Sequence, residues 1–210
     1  VSELNYEKFG FLKKMALEKG AMNAEIIAAD KVVVEDRIVL KCKFGCTKYG
    51  KTLTCPPYTP TPQEFRKIVN EYTYVLFMKF KSRAKTNSKL TKYLSKSETD
   101  LTIPKSIRSK LQEFWADWKK DKLKMLSTVL DLETAAMREG YLLAIGLISG
   151  FCQLCEECTL NRASCVNPTK ARFSGEAVGV NVQVTARNAG VEFKFPVEKT
   201  PETFALLLID

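Results

Sequence analysis

Seven cysteines and no histidine constrain this 210-residue chain more than any other feature. The cysteines fall in two runs far apart in sequence, Cys42, Cys46 and Cys55, then Cys152, Cys155, Cys158 and Cys165. Without imidazole, the chain cannot build a Ser-His or Cys-His dyad, a His-containing zinc site or Rieske-type ligation. A soft metal held here must be held by thiolates, with at most a carboxylate or an outside group in support.

The second run reads C-x2-C-x2-C-x6-C. Three cysteines two residues apart let one turning loop aim three sulfurs at successive irons of a cubane, with the fourth arriving from farther along. The bacterial ferredoxin run works this way, although its last gap is shorter and a proline follows its fourth cysteine directly. Zinc more often takes pairs of cysteines from two separate knuckles. A [4Fe-4S] cluster is therefore the expected occupant, with zinc and thiol redox chemistry as the alternatives. The first run, C-x3-C-x8-C followed by Pro56, Pro57 and Tyr58, sits in a loop where Gly45 and Gly50 let backbone N–H groups turn toward sulfur. Its other reading is three buried structural thiols, which more often replace small apolar residues in regular core elements. Two cubanes with four cysteines each need one thiolate more than the chain's seven. Either the second run completes one cluster and the first holds another with an open iron, or Cys165 crosses to join the first run. Lys170 and Arg172 are placed to donate hydrogen bonds to cluster sulfide or a bound anion, or else are solvated. Glu156 and Glu157 are expected to face water, and Tyr49 and Tyr58 to shield the first cluster or simply pack.

The net charge of +9 is concentrated in one place, since residues 81–124 carry thirteen Lys/Arg against five Asp/Glu. This segment reads as a solvated helix face and polar linker. Its alternative role is a docking surface for an acidic redox protein such as a ferredoxin or flavoprotein. No RNA-binding signature or basic-aromatic ladder favours nucleic acid. No apolar run reaches the ~20 residues of a membrane span, and no signal-peptide pattern opens the sequence, so the expected location is the cytoplasm, where clustered cysteines serve as metal ligands or redox thiols. Neither a G-x-G-x-x-G after a strand nor a P-loop is present.

At 45% hydrophobic the chain can bury a core without help from its cysteines. Apolar periodicity predicts a helix over 3–19 with Gly20 as its stop, and strands over 24–30 and 31–36. A long loop then carries the first cysteines. A helix should run from Pro62, capped by Thr61, to about Asn70, followed by a strand at 73–80. Residues 105–139 read as helix with a phase slip near Lys122, hence a bend or two helices. Strands are expected at 141–147, 191–195 and 204–210, and a helix from Asn181 to Gly190. Strands alternating with helices give an α/β class: one layered sheet with flanking helices, a single domain over 1–210, and a basic connector and helical excursion at about 81–139.

The segments "CKFGCTKYGKTLTCPPYTPTPQEF" and "CQLCEECTLNRASCVNPTKARFSGEAVGVNVQVTARNAG" resemble the uncharacterised prokaryotic family of predicted metal-binding proteins common in anaerobes. The likeness runs from the first strands to the terminal "ALLLID", with both cysteine runs at full spacing. Gly150-Phe151 stands where the family has Gly-Pro before the triplet, and Phe173 stands where the family has proline. The resemblance implies metal binding through the seven cysteines, with iron–sulfur as the expected form, and supplies no reaction. Electron transfer or redox partnership with one or two clusters is the first functional expectation. An open-iron enzyme for dehydration or desulfuration is the second, and a structural zinc protein the third.

Overall fold

The computed structural model describes residues 5–94, 96, 100–193 and 199–209. Helix α1 (Gly10–Glu18) follows a 3-10 turn at Tyr6–Phe9 and ends where Gly20 takes φ 103°; Leu4 lies outside the described residues. Strand β1 (Asn23–Ala28) precedes α2 (Leu40–Gly45), which carries the first cysteine. Helix α3 (Pro62–Val69) starts on a capping box: Glu64 N–H donates to Thr61 Oγ1 at 3.3 Å, and Thr61 N–H donates to Glu64 Oε2 at 2.7 Å. Strand β2 (Tyr74–Lys81), the short α4 (Ser88–Thr91), and the 34-residue α5 (Lys105–Arg138) follow. The chain closes with β3 (Ile145–Leu147), α6 (Val182–Asn188) capped by Asn181, and β4 (Glu202–Ile209).

The strands form one sheet in the order β1-β2-β4-β3, antiparallel throughout, with helices packed on both faces. Alternation divides each strand between two cores. Leu76, Met78 and Phe80 of β2 and Ala205, Leu207 and Ile209 of β4 face α1 and the second half of α5. Val75, Phe77, Phe204, Leu206 and Leu208 face α3, α6 and the valines 178 and 180. An antiparallel sheet usually leaves one face wet; covering both explains why β2 and β4 read as near-continuous apolar runs. The first half of α5 serves a separate small cluster, in which Leu111, Phe114, Trp115 and Trp118 pack on Ala84, Leu90 and Ile103 of the basic excursion.

Several expectations need correction. Residues 31–36 are not a strand: Val34 makes only an isolated bridge to Val180. The segment finds its hydrogen-bond partners outside the sheet, with Val33 N–H on Thr185 Oγ1 at 3.1 Å and Glu35 N–H on the Gly179 carbonyl at 2.8 Å. Residues 40–45, expected in a loop, are helical. Helix α5 runs without a break through Lys122. The phase slip there is a charged side chain occupying a buried position, together with a change in what the helix packs against. The 141–147 strand shrinks to three residues, leaving Leu142 and Leu143 70% and 74% exposed. Val191–Phe193 form no strand, and the rest of that expected strand, like Asp210, lies outside the described residues.

Strand β3 lies so close to α5 that a Cβ on Gly146 would come within 2.0 Å of Val129 Cγ1 and 3.0 Å of Glu133 Oε1. Gly146→Ala should therefore lower stability by roughly 1–3 kcal/mol, read as a drop in the urea midpoint. Val129→Ala should recover part of that loss when combined with it, whereas additive losses would refute the close approach.

Candidate metal centre

The first three thiols are brought together by a helix end and a stack of turns. Helix α2 presents Cys42 and terminates at Cys46. The chain then folds back through Tyr49 N–H on the Cys46 carbonyl at 3.3 Å and Gly50 N–H on the Pro56 carbonyl at 2.9 Å. Cys55 N–H reaches the Thr52 carbonyl at 3.0 Å, placing Cys55 on the inner wall of the loop, 9% exposed. Lys48 N–H donates to Cys46 Sγ at 3.4 Å, the kind of contact the flexible loop foreshadows.

The second run leaves β3 directly. Ile148 pairs in parallel with Ser174, which anchors the strand exit against the loop before α6. Cys152, Cys155, Cys158 and Cys165 then line a cavity of about 410 Å³ together with Thr54, Phe151 and Asn167. Asn167 Nδ2 donates to Cys155 Sγ at 3.2 Å. Sequence reasoning missed this residue, because an asparagine in a loop carries no signal of its own. Glu156 and Glu157 are exposed, as expected. Lys170 is exposed too. Arg172 is turned away into an ion pair, its Nε donating to Glu133 Oε1 at 2.7 Å and its Nη1 to the Ala171 carbonyl at 2.9 Å.

Two contacts join the runs. Cys152 N–H donates to Thr54 Oγ1 at 3.2 Å, next to Cys55, and the Lys48 ammonium lies 4.9 Å from the centre of the Phe151 ring. All seven thiols are free. Their mutual fields show how they sort. Burial, then Cys46, Cys55 and Glu176, push the Cys42 thiol up to about 11. Burial likewise raises Cys152, reinforced by Cys155, Cys158 and Cys165. Cys55 is raised by burial against an opposing hydrogen bond with Thr52, and it feels Cys46 as well as Cys152 and Cys158, so it stands between the sets. Thiols crowded in this way resist ionisation until a cation joins them, and metal binding then expels their protons. Among the described residues, no three Cys, Asp or Glu side chains close on a point that would hold a single ion. The donor set, thiols without imidazole, nevertheless fits a thiophilic metal group.

Cys42, Cys46 and Cys55 also line a second, larger cavity of about 790 Å³. Tyr49 helps to wall it, whereas Tyr58 is 37% exposed and uses its carbonyl to accept from Arg162 Nη2 at 3.4 Å. Two charged groups that sequence reasoning did not single out face this space. Lys122, 6% exposed, bonds to the Ser149 carbonyl and donates to Ser149 Oγ at 2.7 Å. Burial brings its pKa down to about 8, against a smaller opposing pull from Glu176. The Glu176 carboxyl is raised by burial, opposed by Lys122 and by hydrogen bonds with Ser174 and Gly150. The available signal was the Lys122 phase slip, a cation at a core register of a helix.

The unfolded Lys122 titrates at its ordinary 10.5 and the folded one near 8. Between those values the unfolded chain therefore binds more protons, and this group's contribution makes stability rise with pH. Subtracting the stability–pH curve of Lys122→Met from that of the wild type should isolate a rise of up to roughly 3 kcal/mol across that window. A flat difference would show that the ammonium is solvated.

No curated protein and no solved structure matches the chain significantly. A family model does match, over residues 25–209, a span that includes all seven cysteines and the Lys122 and Glu176 positions. With the thiols gathered in two joined loops and the match covering most of its length, the chain belongs to the family described as Predicted metal-binding protein (DUF2284).

Proposed function

We propose that the chain is an iron–sulfur redox protein with two centres of different kinds. Cys152, Cys155, Cys158 and Cys165 hold a [4Fe-4S] cluster that carries electrons. Cys42, Cys46 and Cys55 hold a second cluster with one iron free of cysteine. The observation that carries this reading is the sorting of the thiols: Cys165 lines the cavity of the second run and acts on Cys152, while the first three line a larger cavity of their own. Three cysteines two residues apart in one loop, Cys152, Cys155 and Cys158, favour a cluster of several atoms over tetrahedral zinc. When bound, an iron without a protein thiolate supplies a Lewis-acidic position alongside electron storage. The chain's own contribution is the low-dielectric wall around that position and the N–H donors of Lys48 and Asn167 toward Cys46 and Cys155. The exposed side chains of Lys81, Arg83, Lys85, Lys89 and Lys92 favour docking of an acidic electron donor, with transfer rates that fall as ionic strength rises.

Cyanide added to the anaerobic, reduced protein tests the two-centre reading by electron paramagnetic resonance. One of two cluster signals should shift and the other stay fixed, and Cys165→Ser should alter the fixed one. Two signals that both ignore cyanide would rule out the open iron.

A further inference from the structure

The larger cavity is built as more than a vestibule for metal. Its volume of about 790 Å³ lies within the ~300–1,000 Å³ range of organic-ligand sites. Trp118, Val180, Phe193 and Phe204 give it apolar, mostly aromatic walls. Phe204 is held in place by stacking on Phe77, with centroids 6.4 Å apart and planes 9° from parallel. Into this space project the buried Lys122 and the half-buried Glu176, while Arg37, Lys41 and Glu202 also lie on its lining. The Lys122 ammonium is fixed by both oxygens of Ser149 and lies 5.3 Å from the centre of the Trp118 ring. Gly150 at φ 77° lets the chain pass it, since a Cβ there would be 3.3 Å from Lys122 Nζ. The Glu176 Oε2 atom is shut away from solvent and has no hydrogen-bond partner. An orphaned buried acceptor of this sort carries a desolvation cost that a donor on a ligand would relieve. Lys122 does not relieve it: the two charges feel one another, but no hydrogen bond from Lys122 reaches Oε2.

A ligand entering the cavity meets both a donor and an acceptor on its walls. A simple carboxylate would satisfy Lys122 and be repelled by Glu176, and a simple amine the reverse. A neutral edge with a carbonyl next to an N–H satisfies both, and aromatic walls select a flat body to carry it. We propose that this cavity binds a flat heterocycle through a lactam edge, its carbonyl accepting from Lys122 and its adjacent N–H donating to Glu176 Oε2. Flavins and pterins both present such an edge. The site adjoins the open iron of the reading above but does not rest on it, because every group invoked belongs to the polypeptide.

Anaerobic holoprotein is titrated with riboflavin, followed by quenching of its fluorescence, and in parallel with 6-hydroxymethylpterin. Each is compared with its derivative methylated at the lactam nitrogen. At least one parent heterocycle should bind, and its methylated form should bind about tenfold more weakly or worse, since methylation leaves Glu176 unpaired inside the cavity. Glu176→Met should abolish that preference while leaving the iron and labile-sulfide content of the protein unchanged. Should that variant fail to fold, the wild-type comparison of parent and methylated forms still decides. The proposal is overturned if neither heterocycle binds, if methylation has no effect, or if phenylalanine or benzoate binds where the lactams do not. Those outcomes are independent of the cyanide experiment, which reports on iron alone.

Discussion

Glu133, near the end of α5, ties together three parts of the molecule through its carboxylate. Its Oε1 accepts the Gly146 N–H of β3 at 2.6 Å and the Arg172 Nε at 2.7 Å, and the Arg172 guanidinium in turn bonds to the carbonyls of Thr169 and Ala171. The side chains of Arg172 and Glu133 are 16% and 8% exposed, so the pair is largely withdrawn from water. Breaking a buried pair by removing one partner costs roughly 3–5 kcal/mol, because the other charge is left stranded. The long helix, the edge strand and the segment after Cys165 are therefore fixed relative to one another by a single carboxylate. Both the four-thiol loop and the Ser174–Val180 loop hang from that frame. Arg172 serves the cysteine site by anchoring its backbone, while its donors are spent on Glu133 and on carbonyls.

On this frame the two thiol sets share a boundary and differ in what they face. Cys55 is influenced by both sets, and Thr54 beside it holds the backbone of Cys152. Phe151 lines both cavities. Burial first, and the neighbouring thiols second, push Cys42, Cys55 and Cys152 toward the neutral form. A cationic centre would favour their thiolate forms and expel the protons. The four-thiol set faces a smaller space rimmed by Glu156 and Glu157, and the three-thiol set faces the apolar cavity with Lys122 and Glu176. In the reading proposed here, that asymmetry separates a centre suited to carrying charge from one suited to meeting a molecule.

Much of this was legible in the sequence wherever the determinant is local. The capping box of Thr61 and Glu64, the Asn181 cap and the apolar runs of β2 and β4 each carry their own instruction within a few residues. The cysteine spacing likewise marks the thiols that the two loops bring to the cavities. What failed was non-local. Val32, Val33 and Val34 have the branching of a strand, but their hydrogen-bond partners are supplied by residues 179–185, far along the chain, so no ladder forms. Lys122 looked like a break in α5 because a cation at a core register makes sense only once Ser149 and Glu176 are seen opposite it. The missing eighth thiolate could be counted from the sequence, but the company kept by Cys165 depends on how the loop after Asn161 turns back toward Cys152.

The central claim is that these thiols gather around iron and inorganic sulfide. Quantifying iron, zinc and acid-labile sulfide in protein purified without oxygen from iron-replete cells tests it most directly. The account predicts iron and sulfide in near-equal amounts, in excess of what a single cluster contains, with zinc at trace level. Stoichiometric zinc with no labile sulfide, in protein that is fully folded, would contradict it.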